Sequence, residues 1–167
     1  MAIVNLKGSK AITNLDADPV VQPEAGVAGG ALRVWVETVE VGATDSATST
    51  YLMARLPSNA VILGASKLYG DDLASAGAPT LDIGIFNLDG KSIITDDDDA
   101  LNDGIVAARD IDAYVVKDKA NYGKKLWEHI NGQTEDPKGE YDIKITLKDA
   151  DVNVGGTLTL ELFYALD

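Results

Sequence analysis

No cysteine occurs in the sequence, which excludes a disulfide framework, a zinc ribbon and a thiol nucleophile and leaves stability to packing or assembly. Histidine occurs once, as His129, so a histidine metal cluster is excluded as well, and a Ser-His-Asp arrangement would have to use that one ring. No G-x-S-x-G elbow accompanies it. Apolar runs stay well short of the ~20 residues that span a bilayer, and the first residues, MAIVNLKGSKAITNLDADPV, lack the apolar core of a signal peptide. A soluble, non-secreted chain is expected. Basic residues are scarce, 14 against 27 acidic ones, and the net charge of −13 is spread along the chain. Such a field repels nucleic acid and anionic membranes, and Arg33, Arg55, Arg109 and the Lys124-Lys125 pair are too scattered to form a nucleic-acid groove.

What is present reads as one domain of 167 residues, large enough to bury about two thirds of its unfolded surface. Residues 1–30 have no periodicity and hold Pro19, Pro23, Gly26, Gly29 and Gly30, and are read as an extended arm. Its apolar residues Ile3, Val4, Leu6, Ile12, Leu15, Val20 and Val21 would be poorly solvated on a free tether, so they are candidates for docking on a neighbour. From residue 31 to 167 the signal is β. LRVWVETVEV (32–41), TYLMARL (50–56) and AVILGASKLYG (60–70) are rich in β-branched and aromatic residues, with turn-formers between them. TLDIGIFN (80–87) and EYDIKITLK (140–148) alternate as half-buried strands, and GTLTLELFYAL (156–166) sets Leu158, Leu160, Leu162 and Tyr164 on one face. Six to eight strands with two short helices predict an antiparallel β-sandwich of jelly-roll type.

The stretch ITDDDDALNDG (94–104) invites a metal reading. Against the calcium-loop template with Gly104 at loop position six, Leu101 stands where the third ligand belongs and Asp110 where a bidentate Glu belongs, so the template fails. A looser surface calcium site on Asp96, Asp97, Asp98 and Asp99 is the remaining metal candidate. The plainer expectation is a short helix over DALNDGIVAARD, entered from a strand KSIIT, with Thr95 as N-cap, Asp96 to Asp98 in its first turn, and Leu101, Ile105 and Ala108 at helical spacing. GIFNLDGKS (84–92) ends like a phosphate loop but has five residues between its glycines instead of four; NLDG reads as a β-turn. KKLWEHI (124–130) predicts a helical turn with Leu126 and Ile130 facing the core and His129 partly exposed. Trp35 and Trp127 are either core or interface residues or sugar-stacking platforms. No pair of carboxylates is singled out for glycoside hydrolysis, and no cofactor is indicated.

The order of motifs in LDIGIFNLDGKSIITDDDDALNDG and KKLWEHINGQTEDPKGEYDIKITLKDADVNVGGTLTLELFYALD resembles a group of tailed-bacteriophage structural proteins: a D-x-G-x-(F/Y) strand, a DG turn, an acidic segment, an LWE turn, a DP loop, a YDI strand and a closing Gly-Thr strand. The likeness spans residues 32–167. It implies a non-enzymatic virion component, a jelly-roll decoration (cement) protein that binds the major capsid protein on the outside of the head as a homotrimer, made in the host cytoplasm, with residues 1–30 as its arm. A tail, fibre or baseplate jelly roll that binds host carbohydrate is the competing implication.

Overall fold

A computed structural model of the chain describes residues 17–22, 28–88 and 90–166. Among these residues nine strands form: β1 Arg33–Val41, β2 Thr50–Pro57, β3 Ala60–Ile62, β4 Lys67–Gly70, β5 Thr80–Phe86, β6 Asp97–Val106, β7 Ile111–Tyr114, β8 Glu140–Lys148 and β9 Gly156–Leu166. Two 3-10 turns, Lys119–Asn121 and Leu126–His129, lie between β7 and β8.

The pairing is nested. β5 pairs with β6, β4 with β7, β2 with β8 and β1 with β9, all antiparallel, so the chain folds back on itself about its middle and then rolls. Rolling produces one sheet ordered β1-β9-β4-β7, with β3 beside β9, and a second ordered β2-β8-β5-β6. Successive turns of the pair alternate between the sheets, which is the jelly-roll arrangement. The expected antiparallel sandwich is therefore what the chain forms.

The alternation in the sequence sets the core. Leu158, Leu160 and Leu162 of β9 face Tyr141, Ile143, Ile145 and Leu147 of β8 and Leu81, Ile83 and Ile85 of β5 across the sandwich, all fully buried, with Tyr164 packed at the margin. Each such aliphatic side chain contributes roughly 1.5–3 kcal/mol by leaving water.

Several local expectations give way. AVILGASKLYG is not one strand: a turn at Leu63–Ser66, closed by Ser66 N–H on the Leu63 carbonyl at 3.0 Å, divides it into β3 and β4. The Ser66 hydroxyl then bridges the gap, donating to the Phe163 carbonyl at 3.1 Å and accepting from the Phe163 N–H at 2.9 Å. KSIIT is a loop and not a strand. Asn87 holds it, its Oδ1 accepting from Ile93 and Ile94 N–H at 2.8 and 3.1 Å while its Nδ2 donates to the Ile94 carbonyl at 2.7 Å. The turn expected at NLDG closes one residue later, over residues 88–91, with Lys91 N–H on the Leu88 carbonyl at 2.9 Å and Gly90 at φ +77.

The helix expected over DALNDGIVAARD (99–110), with Asp96 to Asp98 in its first turn, is absent; the acidic run instead leads strand β6. A spacing of four, as between Leu101 and Ile105, is shared by a helix face and a strand face, and pairing with β5 decides for the strand. The ladder slips twice, between Leu81 and Ile83 and between Ile83 and Ile85, so β6 is strongly bulged, with Gly104 at φ +74 inside one irregularity.

β5 and β8 are also buried on the face expected to meet solvent. Gly84 explains part of this: a Cβ there would collide with the Asp97 carbonyl oxygen and the Asp98 Cα, so β6 lies directly on the glycine. Gly84→Ala must push backbone away, and should cost about 1–3 kcal/mol, read as a lower urea midpoint; an unchanged midpoint would show that β6 does not sit on β5 as described.

Candidate interaction surface

A jelly roll has two open sides where the sheets part. Among the described residues, β1 and β2 are the edge strands on one side and β6 and β7 on the other. Trp35 closes the first. Its ring packs against the core from β1, and its indole Nε1–H donates to the Met53 carbonyl of β2 at 3.0 Å. Met53 is available because β2 carries a bulge at that residue: Leu52 pairs with Lys144 and Ala54 with Ile143, leaving Met53 extra. Outside this contact runs a groove of about 370 Å³ lined by Trp35, Glu37, Leu52, Met53, Ala54 and Arg55.

The two outer faces differ. On β1-β9-β4-β7 an apolar row stands in water: Leu32, Val34 and Val36 are 61, 54 and 57 % exposed. Further along the same face Lys67 lies between the Tyr69 and Tyr114 rings, at 5.8 and 5.2 Å from their centroids, and bonds Asp112 at 2.6 Å. Opposite, on β2-β8-β5-β6, charges are paired. Arg55 forks onto the buried Asp142 at 2.7 and 3.2 Å, and Lys148 bonds Asp98 at 2.5 Å with Asp82 at 3.9 Å. Lys144 lies 5.1 Å from the Phe86 centroid.

The aspartates are divided among different partners. Asp96 accepts from Asn87 N–H and Nδ2 at 2.7 and 2.8 Å; Asp97 bonds Asp99 and the backbone of Asn131; Asp98 takes Lys148. Among the described residues no three carboxylate or imidazole groups gather where a metal ion could be held. Burial holds Asp97 above the usual carboxylate range, helped by its bond to Asp99. Burial also raises Asp82, against the opposing pull of Gly104 N–H, which donates to it at 2.8 Å.

Trp127 does not join Trp35: it is absent from the groove lining and packs on the core from the 3-10 turn, its backbone N–H donating to the Ser58 carbonyl at 3.2 Å. Leu126 and Ile130 are buried as the spacing predicts, and His129 is half-buried between them. Its Nδ1 is enclosed without a hydrogen-bond partner among the described residues. Burial, with a smaller push from Lys124, lowers its pKa to about 4. Of the arm residues, Val20 and Val21 are 59 and 50 % exposed; Ile3, Val4, Leu6, Ile12 and Leu15 lie outside the described residues. Sequence reasoning singled out Trp35 but missed the Leu32, Val34, Val36 row. The signal was there: on a strand whose other face holds Trp35 and Val39, apolar residues at even positions serve no core. No helix among the described residues is long and apolar enough to cross a membrane.

The His129 shift gives a pH dependence with a definite sign. Between 6.5 and about 4 the unfolded chain takes up a proton that the folded ring refuses, so stability falls as pH drops through that window. The raised Asp82 and Asp97 act in the opposite sense, binding protons in the fold. Comparing urea midpoints of the parent chain and His129→Gln isolates the histidine: the parent should lose more stability from above pH 6.5 down to about 4, whereas parallel curves would contradict its burial as a neutral ring.

No protein-family model matches the chain, and no curated protein matches it. Solved structures do. A chain in the capsid of Ralstonia phage GP4 superposes with a TM-score of 0.61 at 20% identity, over 84% of this chain and 87% of that one. A chain in the capsid asymmetric unit of cyanophage Pam1 does so with a TM-score of 0.53 at 18% identity, over 83% and 87%. At these identities the likeness is one of fold, and the jelly roll of this chain is the fold of chains that stand in two phage capsids.

Proposed function

We propose that the protein is a non-enzymatic structural component of a phage virion, and within it a decoration protein that binds the major capsid protein on the outside of the head. The observation that carries this reading is the fold shared, over more than four fifths of each chain, with chains of two phage capsids. The chemistry of the surface supports it. Trp35 spends its indole N–H on closing the sandwich, the aspartates are engaged by Asn87 and Lys148, and the apolar row of Leu32, Val34 and Val36 is a feature of association and not of turnover. The resemblance in sequence adds that the protein acts as a homotrimer, with the arm residues of 1–30, Val20 and Val21 among them, docked on the shell.

A decoration protein stabilises by linkage. It binds the assembled shell and not the dispersed subunits, so its binding free energy is added to the particle; at a free concentration one hundred times Kd this is about 2.7 kcal/mol per site. A strongly acidic outer layer also keeps particles apart in solution.

Purified protein added to particles assembled without it should bind saturably and raise the temperature at which they release DNA. Replacing both Val20 and Val21 by Asp should weaken that binding at least ten-fold while leaving the urea midpoint unchanged. Saturable binding without any gain in particle stability would argue against a cementing role, and no binding would remove the capsid assignment.

A further inference from the structure

We propose that β1 is a self-pairing edge: two copies of the chain join antiparallel through β1 about a two-fold axis at Trp35, so that sheet β1-β9-β4-β7 continues from one copy into the next. Free strand edges invite pairing, and folded chains blunt them with bulges, prolines, charges or short length. Three of the four edges here are blunted. β6 is bulged twice, β7 has four residues, and β2 is bulged at Met53 and ends in Pro57. β1 has no bulge and no proline and is not short: it pairs with β9 through nine residues without a slip, and its charges are Arg33, Glu37 and Glu40, with no lysine among them. Among the described residues nothing pairs with its outer side.

The sequence of β1 is complementary to itself in one register. In an antiparallel pair about a two-fold axis, residues directly opposite lie on the same face of the sheet. With Trp35 opposite Trp35, Arg33 of each copy stands opposite Glu37 of the other, which gives two ion pairs on the side of the groove. Val34 stands opposite Val36 twice on the outer face, flanked by Leu32, so the exposed apolar row is covered by its own copy. Shifting the axis to Glu37 sets two glutamates against each other, and shifting it to Val36 leaves Arg33 opposite Val39; both lose the charge match. The free ladder also ends at the right place, since the Glu37 carboxylate accepts from the Thr38 N–H at 3.1 Å and occupies the next edge donor. This contact differs in symmetry from the three-fold association proposed above and does not depend on it. If both exist, the two-fold joins neighbouring trimers into a net.

The absence of cysteine makes the register directly readable, because an introduced thiol is the only one in the chain. The variants Val34→Cys and Val36→Cys, mixed and mildly oxidised, should form cross-linked dimers at least several-fold more than either alone, since opposed Cα atoms in such a ladder are about 5.5 Å apart and within disulfide reach. Sedimentation velocity over a concentration series should show a doubling of mass that Glu37→Arg weakens at least ten-fold and the exchange Arg33→Glu with Glu37→Arg restores. No mixed cross-link, equal yields from either variant alone, or a loss by Glu37→Arg that the exchange does not restore while the urea midpoint is unchanged would each overturn the proposal. A mixed cross-link appearing only after removal of residues 1–16 would also overturn it, giving the edge to the chain's own N-terminal segment.

Discussion

The last strand of the chain meets three others. β9 pairs with β1 along one side and with β3 and β4 along the other, and its leucines at 158, 160 and 162 form one wall of the core. Everything nested inside, from β2 with β8 to β5 with β6, is held between β1 and β9, so closure waits for residues more than a hundred positions apart to meet. Such a topology is slow to fold, because its non-local contacts form only after long loops close. The Ser66 hydroxyl, bonded to both backbone groups of Phe163, lets β9 remain continuous across the break between β3 and β4.

That closure also fixes where the molecule is open. β1 is the outermost strand because it is paired on one side by β9 and on the other by nothing described, and the bulge at Met53 turns the β2 carbonyl toward Trp35. One edge therefore presents an unbulged strand with valines outside and a groove walled by Trp35 beside it. The opposite face carries charge in matched pairs, Arg55 with Asp142 and Lys148 with Asp98 and Asp82. These pairs are partly exposed and add little stability on their own; what they do is cover the polar positions of β5 and β8 so that both strands stay buried. Apolar edge on one side and compensated charge on the other give a polarised particle.

How much of this stood in the sequence differs from element to element. β8 and β9 were legible because period-two alternation over nine or more residues has no helical alternative, and the turn at Leu126–His129 was legible from Leu126 and Ile130. β6 was not, because Leu101 and Ile105 fit a helix and a strand equally and four aspartates before them mimic a helix start; only the partner strand decides. The burial of Asp82 and Asp142 was hidden for a related reason. A carboxylate is buried when a distant group meets it, here Gly104 N–H and Arg55, and no local pattern announces those partners. Trp35 was singled out on composition, yet its role depends on a carbonyl freed by a bulge in another strand. The aspartate run is adjacent in sequence but split between partners, Asp96 with Asn87, Asp97 with Asp99 and Asp98 with Lys148, and no local pattern announces that division.

The central claim is that this jelly roll works as a repeated part of a phage shell, and the copy number per particle tests it most directly. Quantitative mass spectrometry of purified virions against the major capsid protein should find hundreds of copies, near one per shell subunit. A few dozen or fewer would place the chain at the tail or the vertices, and its absence from the particle would contradict the account.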